Sequence, residues 1–236
     1  FAIKSASDVQ MLRTNLDTLT GSAEKGSQMF KTLYDMAAKT PFETPELVDA
    51  AQMMLGYGIA QEKILPNLKM LGDVALGNKV KFQGLTYAFS QVQATGRLMG
   101  QDLLQMINQG FNPLQIISEK TGKSISVLKD EMEKGAISAD MVTEAFQIAT
   151  SEGGRFYGGM DKGSKTLQGT LSTLKDGVMT LARELVGLSA TGDVVKGGLF
   201  DKVSNAVNTL NLSLPQMTDW IKGLVIWFGN LKNAVV

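Results

Sequence analysis

Cysteine and histidine are both missing from this 236-residue chain. Without cysteine there is no disulfide framework and no thiolate chemistry. Without histidine the chain loses the commonest general base and the commonest metal ligand. Ser-His-Asp and Cys-His hydrolases are thereby excluded, together with ordinary zinc sites. Carboxylates, Lys, Tyr and Ser are what remains for catalysis. Net charge is missing too, since 23 Lys and Arg balance 23 Asp and Glu. A neutral chain exerts no general pull on nucleic acid or on an anionic membrane. The most apolar run, Trp220 to Phe228, contains Lys222 and is too short to span a bilayer. No basic segment followed by an apolar stretch and a cleavage site is visible.

What is present is 44% apolar residues, enough for a sizeable core in one large domain or two small ones. Their spacing is helical. Val9, Leu12, Leu16 and Leu19 recur at steps of three and four. A second helix opens at Ser22, whose hydroxyl can cap it, and carries Met29, Phe30, Leu33, Met36 and Ala37. Thr40-Pro41-Phe42 stops it. Thr44-Pro45-Glu46 reads as N-cap, N1 proline and early acid, followed by a Leu47, Ala51, Met54 stripe. Leu68, Leu71 and Ala75 mark the next helix, and Phe82, Leu85, Phe89 and Val92 another, ending at Gly96. Short helices are expected over Asp102 to Ile107, Pro113 to Glu119, Ser126 to Glu133 and Ala139 to Thr150. Gly110, Gly122 and Gly135 punctuate them as left-handed C′ residues. Phe1 to Ser5 and Val80 to Phe82 are the weak strand candidates. The fold class expected is all-α: a multi-helix globular bundle of short helices followed by longer amphipathic helices.

After the glycine-rich stretch Gly153 to Gly159 the pattern changes. Leu167, Leu171, Leu174, Val178, Leu181, Leu185 and Leu188 alternate steps of four and three, a heptad seam. It lacks a complementary charge code at the flanking positions, so it suits an oligomer seam and an intramolecular face equally. A Trp220, Leu224, Trp227, Leu231 stripe closes the chain. The expected division is a helical core over 1–163 and long amphipathic helices over 164–236, with the seam at 167–188 and a C-terminal helix at 217–236. The chain begins on Phe1 and ends on Asn233-Ala234-Val235-Val236, and it is read as part of a longer protein.

Several segments invite a chemical reading. Gly122-Lys123-Ser124 matches the end of a phosphate-binding loop, but Ile117 stands where the first glycine is needed, and the preceding residues are helical rather than a strand. A C-cap glycine, a solvated lysine and an N-cap serine explain it better. Leu114 to Glu133 has the rhythm of a helix-turn-helix, yet Asp130, Glu131 and Glu133 would repel DNA. The same acids could serve a metal or acid–base chemistry, but an exposed helical face accounts for them. Gly153 to Gly159 could cradle an anion with the help of Arg155. The simpler reading is a loop whose Phe156 and Tyr157 tuck into the core. No catalytic, cofactor-binding or metal-binding residue is assigned, and no cofactor is expected.

A set of local patterns recurs in a characteristic order: Ala38-Lys39-Thr40-Pro41-Phe42, Leu71-Gly72-Asp73, Gln91-Val92-Gln93-Ala94-Thr95-Gly96-Arg97-Leu98 and Gly100-Gln101-Asp102-Leu103. Gly110-Phe111-Asn112-Pro113, Lys134-Gly135-Ala136-Ile137-Ser138, Gly153-Gly154-Arg155-Phe156 and Thr166-Leu167-Gln168-Gly169-Thr170-Leu171-Ser172 complete it. The series, over roughly Ser5 to Leu188, resembles the tape-measure domain toward the N-terminus of long phage and prophage tail proteins. Phe111-Asn112-Pro113 stands where the family usually has a second proline-type turn. The resemblance implies a structural protein of a tail, acting in tail assembly and tail-length determination, and not an enzyme. It implies tail tube and tail-tip proteins and tail-assembly chaperones as partners, and no specific nucleic acid. It places the protein in the virion, in the tail lumen, and in the bacterial host cytoplasm during assembly. Self-association would use the heptad seam, and membrane contact only the C-terminal helix. The alternatives are a helix-turn-helix-like DNA-binding module and a membrane-active helical module.

Overall fold

The computed structural model describes residues 2–165 together with Lys196. The chain divides into two compact units, and in the described part the break falls between Thr32 and Leu33. The heptad seam and the C-terminal Trp helix lie outside the described residues. Ten helices and no strand are present among them, so the protein is all-α. The one extended pairing among the described residues is an isolated antiparallel bridge between Arg97 and Ser138.

The first unit contains α1 (Ala2–Thr20) and the start of α2 (Ala23–Ala37). Phe1 to Ser5 therefore supplies helix, not strand, from Ala2 onward. Val9 and Leu16 are buried, whereas Leu19 is exposed, so the inward stripe of α1 is narrower than its leucines suggest. Ser22 caps α2 as its sequence predicts, its Oγ accepting from the Lys25 N–H at 3.3 Å. Gly26 brings the two helices together, since a Cβ there would lie 2.6 Å from the Asp17 backbone nitrogen.

The second unit holds α3 (Thr44–Gly56), α4 (Gln61–Ala75), α5 (Lys79–Thr95), α6 (Gly100–Asn108), α7 (Pro113–Thr121), α8 (Ile125–Glu133), α9 (Ala139–Thr150) and α10 (Gly159–Ser164). Here α4 packs on α3, α5, α9 and α10, while α5 also meets α3, α6 and α9. The α7 helix lies on α8 and α9. Phenylalanines fill the seams. Phe42 lies 4.4 Å from Phe82, and Phe111 stacks on Phe146 at 3.9 Å, centroid to centroid. Phe89 meets Phe146 edge-on at 5.6 Å.

Local sequence explains most helix ends. Asn78, Asn112, Ser124 and Ser138 each cap the helix that follows with a side-chain oxygen. Val80 to Phe82 belongs to the first turn of α5 rather than to a strand, because the Asn78 Oδ1 accepts from the Lys81 N–H at 3.0 Å and commits the chain to helix. The N-cap of α3 is Glu43, one residue before the expected Thr44. The Glu46 carboxylate reaches back to the Glu43 N–H at 2.9 Å, which fixes the register and leaves Pro45 in the first turn. Lys79 then bridges Glu43 at 3.0 Å and Glu46 at 2.7 Å, tying the start of α5 to the start of α3. Burial alone would lower the Lys79 pKa, but the hydrogen bonds it donates to the Glu46 and Glu43 carboxylates outweigh it and hold the ammonium above its ordinary value.

Candidate functional site

Gly122 closes α7 in the left-handed region, φ 74°, and donates to the Ser118 carbonyl at 2.8 Å. Ser124 opens α8 by accepting from the Val127 N–H at 3.3 Å. Lys123 is not simply solvated: its Nζ meets the Glu131 Oε1 at 2.6 Å. All three residues of the Gly-Lys-Ser stretch are thus engaged in joining two helices. Gly110 and Gly135 likewise adopt φ 91° and 75° at helix ends.

The α7–α8 pair is a helix–turn–helix in geometry only. Asp130 and Glu133 are exposed on α8, and Glu131 holds the lysine that could have met a phosphate. Nothing in the arrangement favours DNA. Nor do these acids gather: no cluster of three or more Asp or Glu able to hold a metal ion occurs among the described residues. No described helix is long and apolar enough to cross a membrane.

The Gly153 to Gly159 stretch is a series of turns. Phe156 is half-buried and meets Phe111 edge-on at 6.0 Å, but Tyr157 is exposed, so only one of the two aromatics tucks in. The residue that anchors the loop is Met160, which is buried. Its backbone N–H donates to the Asp73 Oδ1 at 2.9 Å. Asp73 thereby does from α4 what the N-cap Gly158 cannot do with a side chain of its own. Gly159 sits so close to the Asp73 carbonyl that a Cβ has no room, and a Cβ at Gly72 would lie 2.5 Å from the Met160 Sδ. Burial pushes the Asp73 carboxyl above its usual pKa, with the Met160 N–H and Lys69 pulling it back only partly. Arg155 stands at the rim of a hollow of about 210 Å³ floored by Phe111, Ile116 and Phe156. Most of that lining is apolar, which offers an anion little beyond Arg155, Asn112 and Gln115.

A recess of about 520 Å³ lies between α4 and α9 in the second unit, with Gln93 of α5 also lining it. Glu62, Lys63, Pro66 and Asn67 form one wall, and Asp140, Met141, Thr143, Glu144 and Gln147 the other. Gln93 donates to the Thr143 hydroxyl at 2.9 Å and so fixes α5 against α9. Lys120 pairs with Glu144 at the outer edge. Sequence reasoning missed this cleft. Pro66, a proline inside α4, was its one local signal.

The described residues present a packed helical scaffold with a polar recess. A family model described as tape measure protein matches residues 2–186. No curated protein and no solved structure matches the chain. The family match covers most of the sequence and nearly all of the stretch from Ser5 to Leu188 that carries the ordered motifs. The chain belongs to the tape measure protein family, and its role is that of a structural component of a phage tail, associated with other tail proteins.

Proposed function

We propose that this domain is the attachment and assembly element of its tape measure protein rather than the ruler. The observation that supports this is the short, folded-back course of its helices. A helix advances about 1.5 Å per residue, so reach comes from uninterrupted length. Among the described residues of the second unit the longest helix, α5, has 17 residues. Residues 87 apart, Asp73 and Met160, meet through a hydrogen bond. Folding of this kind discards extension, and length would be encoded in an extended helical rod elsewhere in the protein.

The finer assignments follow from that reading. The partners are tail tube and tail-tip proteins, with tail-assembly chaperones before the tail closes. The protein acts in the host cytoplasm during assembly and resides in the tail lumen of the virion. It works as a scaffold and not as an enzyme. The proposed division is a core over 1–163 followed by amphipathic helices over 164–236, with Leu167, Leu171, Leu174, Val178, Leu181, Leu185 and Leu188 as a seam that serves either a second copy or the domain's own packing. Cross-linking mass spectrometry of purified tails tests the attachment role. Cross-links from lysines of the second unit, such as Lys63 or Lys129, to tube or tip subunits are expected. Cross-links confined to the tape measure protein itself would oppose it.

A further inference from the structure

We propose that α10 is a releasable strap. It undocks from α4 as a unit, about a hinge at Gly158, while the rest of the second unit stays folded. Release gives slack to the chain that continues past Lys165. The strap stands on the fold alone; the attachment role above gives it a use, since a fixed domain then yields reach without unfolding.

The helix cannot stand by itself. Its six residues, Gly159 to Ser164, make fewer than two turns and include two glycines. An isolated helix that short does not form in water, so helix and docking come and go together. The connector before it is fastened on the other side of the hinge. Phe156 donates its N–H to the Ala149 carbonyl at 2.8 Å. A Cβ on Gly154 would fall 2.5 Å from the Ala149 and Ile148 carbonyl oxygens, so that residue lies flat on the end of α9. Phe156 also meets Phe111 edge-on. The loop up to Phe156 is thus held to the core independently of α10. Gly158, in the left-handed region at φ 62°, is the swivel beyond it.

The seat on α4 is a fitted one. The Met160 Sδ occupies the space of the side chain that Gly72 lacks, where a Cβ would also fall 3.1 Å from a Phe42 ring carbon. Gly159 lies against the Asp73 carbonyl, and a Cβ on Gly163 would fall 3.0 Å from the Leu76 carbonyl oxygen. Leu76 itself is left-handed at φ 52°, a conformation that costs an L side chain and that the seated helix supports. One buried polar contact, from the Met160 N–H to the Asp73 carboxylate, sets the position. A joint of close backbone approaches and one thioether does not slide. It is seated or it is off. As helix, the eight residues from Gly158 to Lys165 span about 12 Å, and extended they span about 27 Å. Release therefore adds about 15 Å of reach.

Spin labels on the full chain test the strap, because no native cysteine competes for them. Glu62→Cys on α4 and Lys165→Cys after α10 replace two exposed residues, and double electron–electron resonance reads the distance between them. A seated distance should dominate. Met160→Ala, which empties the seat, should raise a distinct longer component at least about threefold. Gly159→Ala, whose Cβ collides with the Asp73 carbonyl, should make that component dominant. Hydrogen exchange on the same variants should show the amides of α10 losing protection about tenfold or more, with those of α4 and α9 within about threefold of the original. If Gly159→Ala fails to fold, Met160→Ala decides alone. An unchanged distance distribution, or protection lost from α4 or α9 together with α10, overturns the proposal and leaves the attachment role standing.

Discussion

The Asp73 carboxylate accepts a hydrogen bond from the backbone N–H of Met160, 2.9 Å away and 87 residues further along the chain. The pair is buried, and it starts α10 from a side chain on α4. Removing the acceptor should therefore be far worse than neutralising it. Asp73→Ala strands a buried N–H and should cost about 1–3 kcal/mol in urea denaturation. Asp73→Asn keeps an acceptor oxygen and should not destabilise the protein.

The same pair carries a pH signature. Burial raises the Asp73 pKa in the folded state above the ordinary 3.8. The folded protein then holds this proton more tightly than the unfolded chain does. The favourable contribution of Asp73 is full below the ordinary pKa and is lost as pH rises through the raised one. The Asn variant, which cannot ionise, should gain stability relative to the original protein as pH rises above the ordinary 3.8. A gap that is flat with pH, or that closes, would contradict the burial argument.

Gly135 ends α8 with φ 75° and donates to Met132 at 2.9 Å, while Ala136 donates to Glu131 at 2.8 Å. These two bonds satisfy the last carbonyls of the helix and require the left-handed conformation between them. Gly135→Val should cost roughly 1–2 kcal/mol by chemical denaturation, because a β-branched side chain clashes there. The added Cβ would also press on Arg97, 2.9 Å from its Nη1. An unchanged denaturation midpoint would show that the cap is dispensable.

Lys123 pairs with Glu131 on a half-exposed surface. Lys123→Ala should change stability by no more than about 0.5 kcal/mol. ATP and GTP should leave the melting temperature unmoved. A nucleotide-induced rise that disappears in Lys123→Ala would revive the phosphate-loop reading.

Most of the fold is written locally, which is why it is legible in the sequence. Ser22, Ser124 and Ser138 announce their helices because a capping hydroxyl acts within three residues. Gly122 and Gly135 announce the ends for the same reason of range. The errors arise where a competing local partner or a distant one decides. Glu43 displaces Thr44 as the cap because Glu46 reaches its N–H. Val80 reads as strand by composition, yet Asn78 starts a helix beneath it. Pro66 ought to break α4, but Ile64, Leu68 and Leu71 are buried on its inner face and keep the helix intact. The cleft draws on α4, α5 and α9, whose lining residues lie far apart in the chain, and no local pattern encodes such a meeting. Met160 is illegible likewise, since its partner lies on α4.

The central claim is that this domain attaches and assembles rather than measures, and tail length in intact phage tests it most directly. In-frame deletions within the extended rod and a deletion of Ser5 to Leu188 should be compared by negative-stain microscopy. Rod deletions should shorten tails by about 1.5 Å per residue removed. Deleting Ser5 to Leu188 should instead disrupt assembly or infectivity, with no proportional shortening. Infectious particles whose tails are shorter by about 1.5 Å for each residue removed from this domain would contradict the account.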